Sequence, residues 1–223
     1  MENHLLLTFK ESRQVEQLKD LLKKMRPGIQ NREEYFVSAV MLTLIETEGG
    51  LHILFEVRAN HLRRQPGEIC FPGGVVEKDE LCNPQETAIR ETVEELGINR
   101  NKIDLLGSLN YFFTPPGTII YPYVGVIRDI ESIKPNPDEV ECVFLAPLEH
   151  FLKHPPAKSS VEVATRYSDD FPFNRVPPFY RKDWNKRWSF PVYFYEYGEH
   201  FIWGITARIL YNFVTTYYTK EDS

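Results

Sequence analysis

The sequence predicts an α+β fold, an α/β/α sandwich around a mixed β-sheet. Three observations carry this expectation. Apolar runs rich in β-branched and aromatic residues recur between residues 35 and 146. Helical periodicity appears near both ends and once in the middle. The strands and helices do not alternate regularly, as they would in a βαβ series. The 223 residues are 42% hydrophobic and 26% charged, enough apolar surface for a core, and residues 1–223 read as one domain with elaborations.

Residues 11–25 form an expected amphipathic helix with Val15, Leu18, Leu22 and Met25 on one stripe, and Pro27-Gly28 ends it. Residues 35–46 and 51–57 read as strands, and Gly49-Gly50 between them signals a hairpin. Further strands are expected at 103–111, 119–127 and 139–146, then a short helix at 147–153. Residues 155–190 hold many prolines and aromatics and read as an irregular insertion, with basic residues Arg175, Arg181 and Lys182. A connection this long is either unstructured or functional, and the reading places it beside the active site. A last hairpin at 188–196 and 200–203 turns around Gly198, and a helix over 204–217 closes the chain.

Charge and cysteine content narrow the function. A net charge of -6 argues against generic nucleic-acid binding. Cys70, Cys82 and Cys142 form neither a CxxC pair nor a zinc spacing, and they read as reduced thiols of a cytoplasmic protein. No apolar run is long enough to span a bilayer, so no membrane association is expected. The N-terminal stretch carries acidic and polar residues where an export signal would be basic, so no such signal is expected.

Residues 83–98, NPQETAIRETVEELGI, carry the chemistry. Asn83 reads as the N-cap, Pro84 as the first helical residue, Glu86 as the other half of a capping box, and Gly97 as the stop. At about 100° per residue, Ile89, Val93 and Leu96 share one face, and Glu91, Glu94 and Glu95 share the opposite one. Arg90 precedes Glu94 by one turn and can pair with it. Clustered carboxylates repel one another unless a cation joins them, and hard oxygen ligands suit Mg²⁺ or Mn²⁺. A solvated acidic face is the alternative for the helix alone. The preceding residues favour the cation: Gly73-Gly74 follow a strand-like run, and Glu77, Asp79 and Glu80 add acids before the helix. Upstream, RANHLRRQ (58–65) is a basic loop in an acidic protein; Arg58, Arg63 and Arg64 suit contacts to phosphate, and an ordinary solvated loop is the alternative.

The order Gly74, five residues, Glu80, nine residues, then Arg90-Glu91-Thr92-Val93-Glu94-Glu95-Leu96-Gly97-Ile98 resembles the Nudix box. It departs from the family pattern by two extra residues after Glu80 and by Thr92 at an apolar position, and Glu77 stands as an alternative to Glu80. Arg58-Ala59, Arg63, Gly67 and Phe71-Pro72-Gly73-Gly74 resemble the signature of coenzyme A pyrophosphatases, as do 136–152 and 202–210. The resemblance implies a Nudix-type fold and metal-dependent hydrolysis of a nucleotide pyrophosphate, with coenzyme A or a derivative as the leading small-molecule substrate. Expected products are 3′,5′-ADP and 4′-phosphopantetheine. ADP-ribose, a dinucleotide or an RNA cap are alternative substrates, and a catalytically silent nucleotide-binding domain is a further alternative.

The resemblance also implies the site residues. Glu91, Glu94 and Glu95 would hold Mg²⁺ or Mn²⁺, and Arg90 would orient them. Glu139 or Glu94 would act as the general base. Arg58, Arg63, Arg64, Gly73 and Gly74 would bind substrate. A homodimer is compatible with this reading.

Overall fold

The computed structural model describes residues 13–25, 29, 34–115, 117–180 and 182–218. They fall in two units, Met1–Tyr35 and Phe36–Ser223. In the first, helix α1 spans Arg13–Lys24, and Leu18, Leu21, Leu22 and Met25 are exposed. The Pro27-Gly28 stop lies outside the described residues.

The second unit is built on β1 (Phe36–Thr47) and β2 (Gly50–Arg58), the hairpin that Gly49-Gly50 signals. Short β3 (Ile69–Cys70) pairs with β2, and short β4 (Gly73–Val75) pairs with β1. Helix α2 (Pro84–Leu96) follows, then β5 (Ile103–Ser108), β6 (Phe112–Phe113) and β7 (Thr118–Ile127). β7 lies parallel to β1 while the other pairs are antiparallel, so the sheet is mixed. β8 (Val140–Pro147) pairs with β2, and α3 (Leu148–Lys153) leaves it.

Period-two alternation splits the sheet residues between two cores. Leu42, Leu44, Ile53 and Phe55 pack with Phe151 of α3 and with Ile202, Ala207 and Leu210 near the C-terminus. Ile45, Leu54 and Ile127 pack on the other face with Leu96 of α2. Helices therefore cover both faces, which is the expected sandwich.

One expectation is corrected. Residues 155–190 are not irregular throughout. β9 (Ala157–Thr165) and β10 (Asn185–Tyr197) form a long antiparallel pair, and β11 (His200–Trp203) completes a second, three-stranded sheet. β9 is exposed along nearly its whole length, and the alternation in its sequence is confined to Val161-Glu162-Val163, too short to announce a strand. The expected final helix is present, as α4 (Gly204–Asn212) continued by a π-helix over Phe213–Tyr218. Among the described residues, no helix is long and apolar enough to cross a membrane.

Candidate active site

Helix α2 and strand β4 assemble the site through two glycines. Gly73 carries φ +156°, and a Cβ there would lie 2.4 Å from the Ala39 carbonyl oxygen. β4 can therefore lie against β1 only with glycine at this position. The Gly73 N–H then donates to Glu95 Oε2 at 2.8 Å. At Gly74, a Cβ would lie 2.4 Å from the Glu91 carboxyl carbon, so the bare backbone makes room for that side chain. Gly97, in the left-handed conformation, ends α2 as expected, with its N–H on the Val93 carbonyl.

The N-terminus of α2 differs from expectation. Asn83 makes no side-chain cap, and Glu86 instead pairs with Arg100 at 2.7 Å, so the capping box does not form. Asn83 sits in a turn, its N–H donating to the Glu80 carbonyl at 2.8 Å. This turn absorbs the two extra residues of the box. Thr92, the other departure, is fully buried and donates to the Ala88 carbonyl at 2.6 Å. That bond spares a buried hydroxyl the cost of about 1–3 kcal/mol for lacking a partner.

Arg90 gathers the acids of the box. It meets Glu91 at 2.8 Å, Glu94 at 3.2 Å and Glu80 at 3.3 Å. Glu80 also accepts the Thr87 hydroxyl at 2.6 Å, while Glu77 is exposed. Glu80 is thus the loop glutamate tied to the helix, and hydrogen bonds from Arg90 and Thr87 hold its carboxyl below the usual range.

The three helix glutamates do not share one exposed face. Glu95 is 4% exposed, on the buried side of α2 with Thr92 and Leu96, whereas Val93 is only half-buried. The Gly73 N–H is what makes that burial tolerable. Burial is the largest influence on Glu95 and pushes its carboxyl up to about 8, with Glu91 and Glu139 adding repulsion. Burial raises Glu91 as well, and Arg90 opposes the shift. Glu94 is about half exposed and turned toward Arg90.

A cavity of about 890 Å³ opens over this arrangement. Its lining includes Arg58, Arg64, Gly73, Gly74, Glu91, Glu95 and Glu139. Arg63, Arg90 and Glu94 are not among the lining residues. Backbone contacts hold the basic loop beside Glu139: Ala59 N–H donates to its carbonyl at 2.9 Å, and His61 Nε2 lies 3.1 Å from the Asp138 carbonyl. Val161 and Phe190 place the insertion on the cavity, and Trp203, Ile205 and Arg208 bring in the C-terminal segment.

A family model described as NUDIX domain matches residues 35–167. The chain belongs to the Nudix family. A peroxisomal coenzyme A diphosphatase of Caenorhabditis elegans is 41% identical over 118 residues, 52% of this chain and 50% of the relative. A peroxisomal coenzyme A diphosphatase of Mus musculus is 36% identical over 52% of this chain and 49% of the relative. In both, the match spans about half the relative's length. A Nudix hydrolase of Pectobacterium atrosepticum, NudL, is 30% identical over 84% of this chain and 83% of its own.

Within this Nudix domain the sequence reading missed Glu56. It lies on β2 facing α2, is 1% exposed, and its Oε1 has no hydrogen-bond partner. An acid inside the apolar run LHILFEV was the available signal. Among the described residues, no three His, Cys, Asp or Glu side chains stand ready-made around a metal position. Arg90 occupies Glu91, and the Gly73 N–H occupies Glu95.

Proposed function

We propose that this Nudix domain is a metal-dependent pyrophosphatase that cleaves coenzyme A or a derivative to 3′,5′-ADP and 4′-phosphopantetheine. The observation that carries the reading is the cavity itself, which sets half-buried Glu91 and buried Glu95 beside Arg58 and Arg64 in one space. Its volume of about 890 Å³ suits a ligand much larger than a pyrophosphate alone. The names of the worm and mouse relatives agree with this substrate.

The donors fit Mg²⁺ or Mn²⁺ in kind. They are hard carboxylate oxygens, and burial raises both the Glu91 and the Glu95 carboxyl, at Glu91 against the pull of Arg90. Glu91 and Glu95 would hold the ion. When bound, it neutralises phosphate oxygens and lowers the pKa of an attacking water. Arg90, tied to Glu80, Glu91 and Glu94, fixes the direction of the Glu91 carboxylate. Glu94 supports Arg90 from the solvent side.

Glu139 is the general base in this reading because it lines the cavity and its charge acts on both Glu91 and Glu95. It takes a proton from the water whose oxygen bonds to phosphorus. The bond from that phosphorus to the bridging oxygen breaks, and the departing phosphate keeps the electron pair. Arg58 and Arg64 bind the phosphates of the substrate.

The test is a comparison of kcat/KM for coenzyme A, ADP-ribose and NADH with Mg²⁺ or Mn²⁺. Coenzyme A is expected to lead. A higher value for ADP-ribose or NADH would reassign the substrate, and inactivity toward all three would favour the silent nucleotide-binding alternative.

A further inference from the structure

Four residues form one row across the main sheet. Val75 of β4 and Ile120 of β7 both stand beside Ser38 of β1, and Phe112 of β6 stands beside Ile120. Paired residues share a face of the sheet, and all four line the cavity. The row crosses three strand spacings of about 4.8 Å, so it is about 14 Å long. One end adjoins Gly74, against which the Glu91 carboxylate lies. At the other end Arg208 of α4 stands over Phe112, its guanidinium carbon 5.1 Å from the ring centroid.

The fold holds Arg208 there. Thr206 donates to the Ile69 carbonyl of β3 at 3.0 Å, and Ala207, Ile209 and Leu210 are buried in the core. Arg208 itself lines the cavity. Arg90, Arg100 and Arg128 each meet a carboxylate, but among the described residues no carboxylate pairs with Arg208. A guanidinium lying on an aromatic face keeps the N–H donors along its edge for other partners. The cavity thus has a cation at the end of the row far from Glu91, with its donors uncommitted.

We infer that Arg208 binds the anionic group of the substrate that is remote from the cleaved bond, which in coenzyme A is the 3′-phosphate. A pyrophosphate seated at Glu91 and Glu95 is too short to span a row of about 14 Å. The ribose sets the 3′-phosphate apart from the pyrophosphate, as that spacing requires. A phosphate monoester carries up to about two negative charges and three acceptor oxygens. It can therefore engage Arg64 of the basic loop and Arg208 together. Phe112 supports the guanidinium from its face and fixes its direction.

The inference rests on the pyrophosphatase reading for its substrate, so one arm of the test measures binding without turnover. The protein is titrated calorimetrically in chelator with 3′,5′-ADP and with 5′-AMP, which differ only in the 3′-phosphate. Wild type is expected to bind 3′,5′-ADP more tightly. Arg208→Met keeps an unbranched stem over Phe112 and removes the charge. It is expected to weaken 3′,5′-ADP about tenfold, the scale of one charge-assisted contact, and 5′-AMP less than about twofold. Arg208→Lys restores the charge without the fork, so its loss should be intermediate, and it serves where the methionine variant does not fold.

In the kinetic arm, Arg208→Met is expected to raise KM for coenzyme A about tenfold, with KM for 3′-dephospho-coenzyme A and both kcat values within about twofold. Wild type that binds 3′,5′-ADP selectively but cleaves no coenzyme A would remove the pyrophosphatase reading and leave this inference standing. Equal affinity of wild type for the two nucleotides, or equal weakening of both by Arg208→Met, would overturn the inference.

Discussion

Gly74 and Glu91 are in direct contact: a single methyl group on Gly74 would stand 2.4 Å from the Glu91 carboxylate. Gly74→Ala is therefore expected to displace that carboxylate and reduce turnover by about a hundredfold, the upper end for disturbing a metal ligand from outside its coordination shell. The thermal midpoint should change little, since the atoms that must give belong to a flexible side chain. Gly73→Ala is expected to behave differently. Its Cβ meets the Ala39 backbone carbonyl at 2.4 Å and its φ is +156°, so it should destabilise the fold by about 1–3 kcal/mol. Parallel melting curves and rates for the two variants check the contrast.

Glu95→Gln is expected to reduce metal-dependent turnover by more than a hundredfold, as an estimate on the order of a lost metal ligand. The fold should survive, because the glutamine amide oxygen can still accept the Gly73 N–H. Near-normal turnover at saturating Mg²⁺ would remove Glu95 from the site.

The raised carboxyls give a pH dependence whose sign is opposite to that of a surface ion pair. Burial lifts Glu95 to about 8 and Glu56 well above the ordinary carboxylate value. The folded-state pKa of each exceeds the unfolded one. Their stabilising contribution is therefore full below the unfolded pKa and is lost as pH rises through the folded pKa. In chelator, the thermal midpoint is expected to fall between about pH 5 and about pH 8. Glu95→Gln should make the slope shallower, and Mg²⁺ should restore the midpoint at the alkaline end. A midpoint that rises over this range in chelator would contradict the reading.

Arg63 and Arg64 are neighbours, yet only Arg64 lines the cavity. Arg64→Ala is expected to raise KM for coenzyme A about tenfold, and more than for 3′-dephospho-coenzyme A. Arg63→Ala should leave both values near wild type. Equal losses on the two substrates for Arg64→Ala would assign it to the pyrophosphate instead.

Much of this arrangement was legible in the sequence because local signals and tertiary roles agree. Alternating apolar residues define β1 and β2, Gly97 stops α2, and the paired glycines mark the close approach of β4. What was not legible depends on contacts distant in sequence. Helical spacing alone put Glu94 and Glu95 on one face. They lie about 100° apart around the axis, and the Gly73 N–H draws Glu95 inward while Arg90 holds Glu94 outward. The capping box failed because Arg100 offers Glu86 a charged partner. β9 gave little strand signal because most of its side chains are exposed and few of them are apolar.

The central claim is hydrolysis at the pyrophosphate of coenzyme A, and the most direct test is product mass analysis in ¹⁸O-labelled water. The account predicts 3′,5′-ADP and 4′-phosphopantetheine in equal amounts, with one labelled oxygen on one product's new phosphate, and no reaction without Mg²⁺ or Mn²⁺. Release of inorganic phosphate from intact coenzyme A, or the same products formed in the presence of a chelator, would contradict it.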